Sequence, residues 1–289
     1  GRGLIQAGGG HQRRAWQGIN IGQRCTERLR WACAIRLAFI GAQSDKANHD
    51  LALSCAPGMP WLMTFAAPHR HPFDPPFDCN RCDRLVAFRD DARQQCPGGF
   101  NGAVPSFGDP DAWLLIIGLA PGMQGANRTG RPFTGDYAGD LLYETLLTAG
   151  LAEGNYDRRS DDGLQLKGAM ITNAVRCVPP QNKPATDEAK ACQDYLMQCL
   201  DTLATVKVLL CLGKIAHDAT LRTLGIRLSA APFGHAAVHE IGPYTLVDSY
   251  HCSRYNTNTG RLTAEMFAEV FEVAKQIRSP ELDSGPLSI

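Results

Sequence analysis

The sequence has no run of about 18 uninterrupted apolar residues, so a membrane-spanning helix is excluded and a soluble chain is expected. It also has no excess charge of either sign. Lys+Arg and Asp+Glu stand at 29 each, which excludes a polybasic tail or a whole-surface attraction for nucleic acid and leaves only a local basic groove. Neither GxGxxG nor GxxxxGK[ST] occurs, so the common dinucleotide and nucleotide phosphate loops are ruled out. Methionine is missing until Met59. Cysteine, by contrast, is plentiful: 11 in 289 residues, an odd number at irregular spacing in a chain too long to need disulfide staples. That usage points to a reduced compartment, the cytoplasm, and to a metal or cluster site. With 44% hydrophobic residues the chain can bury one large core or two small ones.

Charge is unevenly spread. Up to Gly58 there are eight Lys/Arg against three acids (Glu27, Asp45, Asp50), and neither helical nor strand periodicity lasts, apart from one short helical pattern near Cys25–Ile40. Residues 1–62 are read as a weakly structured extension. The run Gly8-Gly9-Gly10 and the poverty of serine argue against a transit peptide, and a start at Met59 or Met63 is the favoured expectation. A folded domain is expected over 63–278 and a tail over 279–289.

Beyond a proline-rich linker (Pro68 to Pro76) the pattern alternates between strand and helix. Wholly apolar or nearly apolar runs at Trp113–Ile117, Ala169–Val175, Val206–Leu212 and Tyr244–Tyr250 read as buried parallel strands. Helical patterns fall at Gly139–Ala149, at Thr186–Leu203 with Thr186 as N-cap, at Ile215–Thr223, and at Leu262–Ile277 with Met266, Val270 and Val273 on one face. Four strands with helical crossovers make a three-layer α/β sandwich. Ligands in such sheets gather beyond the carboxyl ends of the strands.

Four constellations lie there or nearby. Cys79-Asn80-Arg81-Cys82 is a CxxC pair; Cys177 follows the second strand, and Cys192 lies within the next helix. Four soft thiolates suit zinc or an iron–sulfur cluster, and spacing does not separate the two. The remaining cysteines read as small buried hydrophobes. The segment from Gly118 to Asp136 is a glycine-rich loop in which Arg128 and Arg131 can meet phosphate and Phe133 can stack on a flat base. Asn173 ends the second strand and can read a pyrimidine edge as donor and acceptor together. His251 ends the fourth and can donate to developing negative charge, with Arg254, Tyr255 and Arg261 beyond it suited to a nucleic-acid backbone.

Taken in order, CNRC, GLAPG…ANRTGRPFTGD, TNAVRC…C and HCSRYNTNTGRLT resemble the motifs of the uracil-DNA glycosylase superfamily, and most nearly its iron–sulfur type-B (family 5) enzymes, from Cys79 to Gln276. The resemblance implies an α/β/α sandwich on a four-stranded parallel sheet and a [4Fe–4S] cluster on Cys79, Cys82, Cys177 and Cys192. It implies action on damaged DNA, and the expected partners are double- or single-stranded damaged DNA for a monomer, with no membrane. Phe133 would stack on the flipped base, Asn173 recognise its edge, and His251 stabilise the leaving anion. Asn127 would orient water, and Asp136 is a further candidate catalyst. Gly118 and Ala120 would line the base. Where many relatives place an acid or amide after the opening glycine, this chain has Leu119 and Ala120, so catalysis is expected to rest on leaving-group stabilisation. Hypoxanthine, xanthine or etheno-bases join uracil as expected substrates. Cys252 replaces the proline usual after the histidine, and a looser His251 is expected. An iron–sulfur electron-transfer or redox-sensing protein and a zinc-bearing, non-catalytic nucleic-acid module are the alternatives from other classes.

Overall fold

The computed structural model describes residues 69–278. The expected extension with its helical pattern near Cys25–Ile40, and the expected tail, lie outside the described residues. The elements run α1 (Asp83–Gln95), β1 (Phe107–Gly108), β2 (Leu114–Gly118), α2 (Ala126–Thr129), α3 (Tyr137–Thr148), β3 (Ala152–Glu153), β4 (Gln165–Leu166), β5 (Ala169–Asn173), α4 (Thr186–Thr202), β6 (Val208–Leu212), α5 (Lys214–Thr223), β7 (Val238–Ile241), β8 (Tyr244–Ser249), α6 (Arg254–Asn258) and α7 (Ala264–Arg278). No described helix is long and apolar enough to cross a membrane.

The four apolar runs become β2, β5, β6 and β8, which pair in parallel in the order β5-β2-β6-β8. Because strand side chains alternate, β2 feeds two cores at once. Leu114 and Ile116 pack with Leu142 and Leu146 of α3 and Phe267 and Phe271 of α7. Leu115 and Ile117 pack on the other face with Leu196 and Leu200 of α4 and Leu221 of α5. Helices on both faces and an all-buried central strand make the expected α/β/α sandwich.

The sheet itself is wider than the four strands expected. β1 adds antiparallel to β5 at one edge, and β7 antiparallel to β8 at the other, giving six strands. These edges are short or half exposed, so they lack the continuous apolar run that marks a central strand. A two-stranded ribbon, β3 with β4, stands apart.

Three local details differ from expectation. Thr186 opens α4 as its first helical residue, and the N-cap position is Ala185, whose N–H donates to Glu188 Oε2 at 2.7 Å. On α7 the buried stripe is Phe267, Val270, Phe271 and Ala274, with Met266 and Val273 at its margins. α1 was not expected: its buried positions are Leu85, Arg89 and Ala92, and a charged residue in the middle of the stripe removes the apolar period.

Candidate active site

Register carries the strand ends to one place. Gly118 of β2 pairs with Asn173 of β5, and the parallel neighbours β6 and β8 end beside them. A cleft of about 600 Å³ opens there, lined among others by Ala120, Phe133, Asp136, Asn173, His251 and Arg254.

Gly118 is the floor on which the recognition groups rest. A Cβ there would collide with Asn173 Oδ1 and with the Phe133 ring, so glycine alone lets both lie flat over the strand end. Phe133 adopts a left-handed backbone (φ +52°), uncommon for an aromatic residue. The turn is possible because Gly139 of α3 offers no side chain against the Phe133 carbonyl. The Phe133 and His251 rings face one another across the cleft, 6.0 Å between centroids and tilted by 31°. Asn173 is 3% exposed, and its Oδ1 is buried without a hydrogen-bond partner. An orphaned carboxamide oxygen costs stability where it stands and is satisfied by a ligand that donates to it.

His251 is fixed from behind. Asn256 Nδ2 on α6 donates to its carbonyl at 2.8 Å, and the next residue, Cys252, is wholly buried with its thiol donating to the Ala138 carbonyl at 3.4 Å. The thiol thus tethers the histidine loop to α3 where a proline would have stiffened it. Burial pushes the His251 imidazole below its ordinary value, against the opposing pull of the Asp136 carboxylate. The ring is therefore held neutral near pH 7. Asp136 caps α3, with Oδ1 accepting from Gly139 N at 3.2 Å.

Not every expected residue joins the cleft. Asn127, in the short α2, is 1% exposed and turns its Nδ2 to Asn101 Oδ1 at 2.8 Å, away from the cleft lining. Arg131 is no phosphate contact. It is 3% exposed, paired bidentately with Asp162 at 2.7 and 2.8 Å, bonded through Nε to Thr134, and packed on the rings of Phe107, Tyr143 and Tyr156. Each of its three nitrogens donates inside the protein, so it is the buttress of the loop that carries Phe133. Arg128 is half-buried, and Arg254, Tyr255 and Arg261 are exposed. Arg254 rests on the Tyr137 ring and Arg261 on Tyr250, while Tyr255 stands 73% exposed. Asn182 also lines the cleft and was not anticipated. It follows Pro179-Pro180 in a left-handed turn, a conformation Asn tolerates, and that pairing was the only available signal.

The four cysteines gather at one corner. Cys79, Cys177 and Cys192 are buried in a shared cluster, with Cys82, the N-cap residue of α1, packed on it. All four thiols are free. Burial and mutual repulsion push Cys82 up to about 11 and Cys177 up to about 12. Among the described residues no group of three or more Cys, His, Asp or Glu is set to hold a single metal ion. A four-iron cluster takes one thiolate per iron and does not require its ligands to meet at a point, so an all-sulfur donor set gathered in this way fits it.

A family model described as the uracil DNA glycosylase superfamily matches residues 105–275. A type-5 uracil-DNA glycosylase of Thermus thermophilus is 47% identical over 205 residues, 69% of this chain and 93% of that protein. A type-5 enzyme of Pyrobaculum aerophilum is 37% identical over 201 residues, 68% and 88%. A type-4 uracil-DNA glycosylase of Archaeoglobus fulgidus is 37% identical over 139 residues, 48% and 62%. With motif order, fold and cleft agreeing, the chain belongs to the uracil-DNA glycosylase superfamily, in its type-5 branch.

Proposed function

We propose that this chain is a DNA glycosylase that hydrolyses the N-glycosidic bond of uracil in base excision repair. The observation that carries the reading is the Asn173 carboxamide, buried over Gly118 with its oxygen unpartnered, between Phe133 and His251. Such a group can donate to O4 and accept from N3–H of a uracil flipped out of the stack. Phe133 offers its face to the base.

Leu119 and Ala120 hold no proton, so this loop start cannot activate water. The work falls on the leaving group: a neutral His251 N–H donates to the charge that develops on the departing base, and Asp136, on the same cleft wall, favours the electron-poor sugar. Asn127 is left with a supporting role in the loop. Since the stabilised charge is common to all leaving bases and the cleft has room for a purine, hypoxanthine, xanthine and etheno-bases belong to the proposed range. Arg128, Arg254, Tyr255 and Arg261 are assigned to the DNA backbone around the cleft mouth, for a monomer working on single- or double-stranded damaged DNA in the cytoplasm.

The same reading assigns a [4Fe–4S] cluster to Cys79, Cys82, Cys177 and Cys192. When bound it supplies a structural tie among α1, the end of β5 and α4. Base release from an oligonucleotide with a single uracil is the test, run on anaerobically purified protein. Free uracil and an abasic strand are expected. A brown protein with the visible absorption of thiolate-bound iron that released no base would favour the electron-transfer alternative.

A further inference from the structure

Three arginines of the described residues are buried: Arg89, Arg131 and Arg176. Two have a carboxylate each. Arg131 pairs with Asp162 at 2.7 Å, and Arg176 with Asp74 at 2.9 Å. Arg89, 3% exposed on the buried face of α1, has no carboxylate partner among the described residues. Its Nη1 donates to the Cys79 carbonyl at 3.0 Å and to Cys177 Sγ at 3.7 Å, and its Nε is buried with no partner.

A guanidinium does not shed its proton, so it cannot escape burial by becoming neutral. Buried charge without a counter-charge is strongly unfavourable, and neutral thiols are only weak acceptors that do not neutralise it. Metal-bound thiolates are another matter: four of them around a cluster leave a net negative charge beside Arg89. One ligand would serve both: a thiolate-bound cluster brings negative charge to the arginine and iron to the cysteines.

We propose that Arg89 is the built-in counter-charge of the cluster, donating to the sulfur of Cys177 and bracing Cys79, and that it sets how tightly iron is held and at what potential the cluster is reduced. The inference rests on the cluster reading above. It makes Arg89 a positioning and electrostatic residue with no contact to the DNA base.

The test compares wild type, Arg89→Met and Arg89→Lys, each purified with its iron and assayed for iron and sulfide, for the rate of iron loss to a chelator, and for the cluster's reduction potential by spectroelectrochemical titration. Removing the positive charge should lower the potential and speed iron loss by about 10–100-fold, the size usual for lost outer-shell partners of metal ligands. Arg89→Lys, which keeps charge but loses the fork, should fall between. In iron-stripped protein the order should invert, with Arg89→Met melting no lower than wild type, because there the arginine is an unpaired charge. Should Arg89→Met not fold, the potential and iron-loss rate of Arg89→Lys decide alone. Wild type lacking iron would overturn the cluster reading. Wild type with iron, and both variants matching it in potential and iron loss, would overturn the role of Arg89 alone.

Discussion

The cleft and the cysteine corner are built on the same segment and solve opposite problems. β5 ends at Asn173, which lines the cleft, and Cys177 of the corner follows after a short bend tied down by Ala174 N–H to the Gly118 carbonyl and Val175 N–H to the Leu119 carbonyl, both 2.9 Å. In the cleft the unsatisfied atom is an acceptor, Asn173 Oδ1, at the wall of an open space that a transient guest can enter. In the corner it is a donor, Arg89 Nε, beside the buried Cys79, Cys177 and Cys192. Unsatisfied polarity beside an opening marks a site that turns over. The same polarity sealed in beside four gathered cysteines is, on the cluster reading, met by the resident group.

The comparison breaks most visibly in the corner. Cys177→Ser or Cys192→Ser should bleach the protein and cost about 4 kcal/mol or more, the range reserved for losses such as a metal site, read by chemical unfolding and iron content. Cys199→Ser, on the opposite core with Leu196 and Leu200, should keep its colour. In the cleft, His251→Ala should leave colour and melting nearly unchanged but slow single-turnover release of every base by about 10²–10³, the usual effect of one lost charge-stabilising donor. Asn173→Ala should cost about 10–100-fold on uracil and less on hypoxanthine, whose edge presents a different pattern. Bleaching by Asn173→Ala would mean that the two regions are not separable.

A smaller effect separates two arginines that look alike in sequence. Arg254→Ala should weaken binding to uncleaved DNA and reduce the slope of log affinity against log salt by about one, as expected for a single lost phosphate contact. Arg131→Ala should leave that slope alone and instead lower stability, since Asp162 would be left buried without its partner. A salt slope changed by Arg131→Ala and not by Arg254→Ala would reverse the assignment.

Those arginines also show which features of the fold are legible in the sequence. The parallel strands were legible because each is a buried run whose period is set by burial on both faces, and the cleft residues were legible because they sit at strand ends in a recognisable order. Arg131 was misplaced because its partner, Asp162, lies far along the chain, and charge pairing across that distance leaves no local mark. The hydrogen bond of Asn127 was not legible for a similar reason: its partner Asn101 precedes β1 and β2, outside the loop that suggested its role. α1 was missed because Arg89 occupies a buried position, and a stripe with a charge in it does not look like a stripe.

The smallest effect tests whether the cleft holds its histidine neutral at a cost. Burial lowers the folded-state value of His251 below the 6.5 of a free imidazole. Above pH 6.5 the ring is neutral folded or unfolded, and it contributes nothing to the pH dependence of stability. As pH falls below 6.5 the unfolded chain takes up a proton that the folded chain refuses, so stability is lost until the depressed folded value is passed. His251→Gln, which cannot titrate, should therefore gain on wild type below pH 6.5 and run parallel to it above. The other lowered histidines, His71 and His235, remain in both proteins and cancel in the difference. Chemical unfolding of the two proteins from pH 5 to 8 would show this gap as a difference that opens only on the acid side. Parallel curves throughout would mean that the cleft does not disfavour the protonated ring, and a wild type that gained on His251→Gln as pH fell would mean that His251 is protonated in the folded enzyme and that the leaving base departs toward a cation.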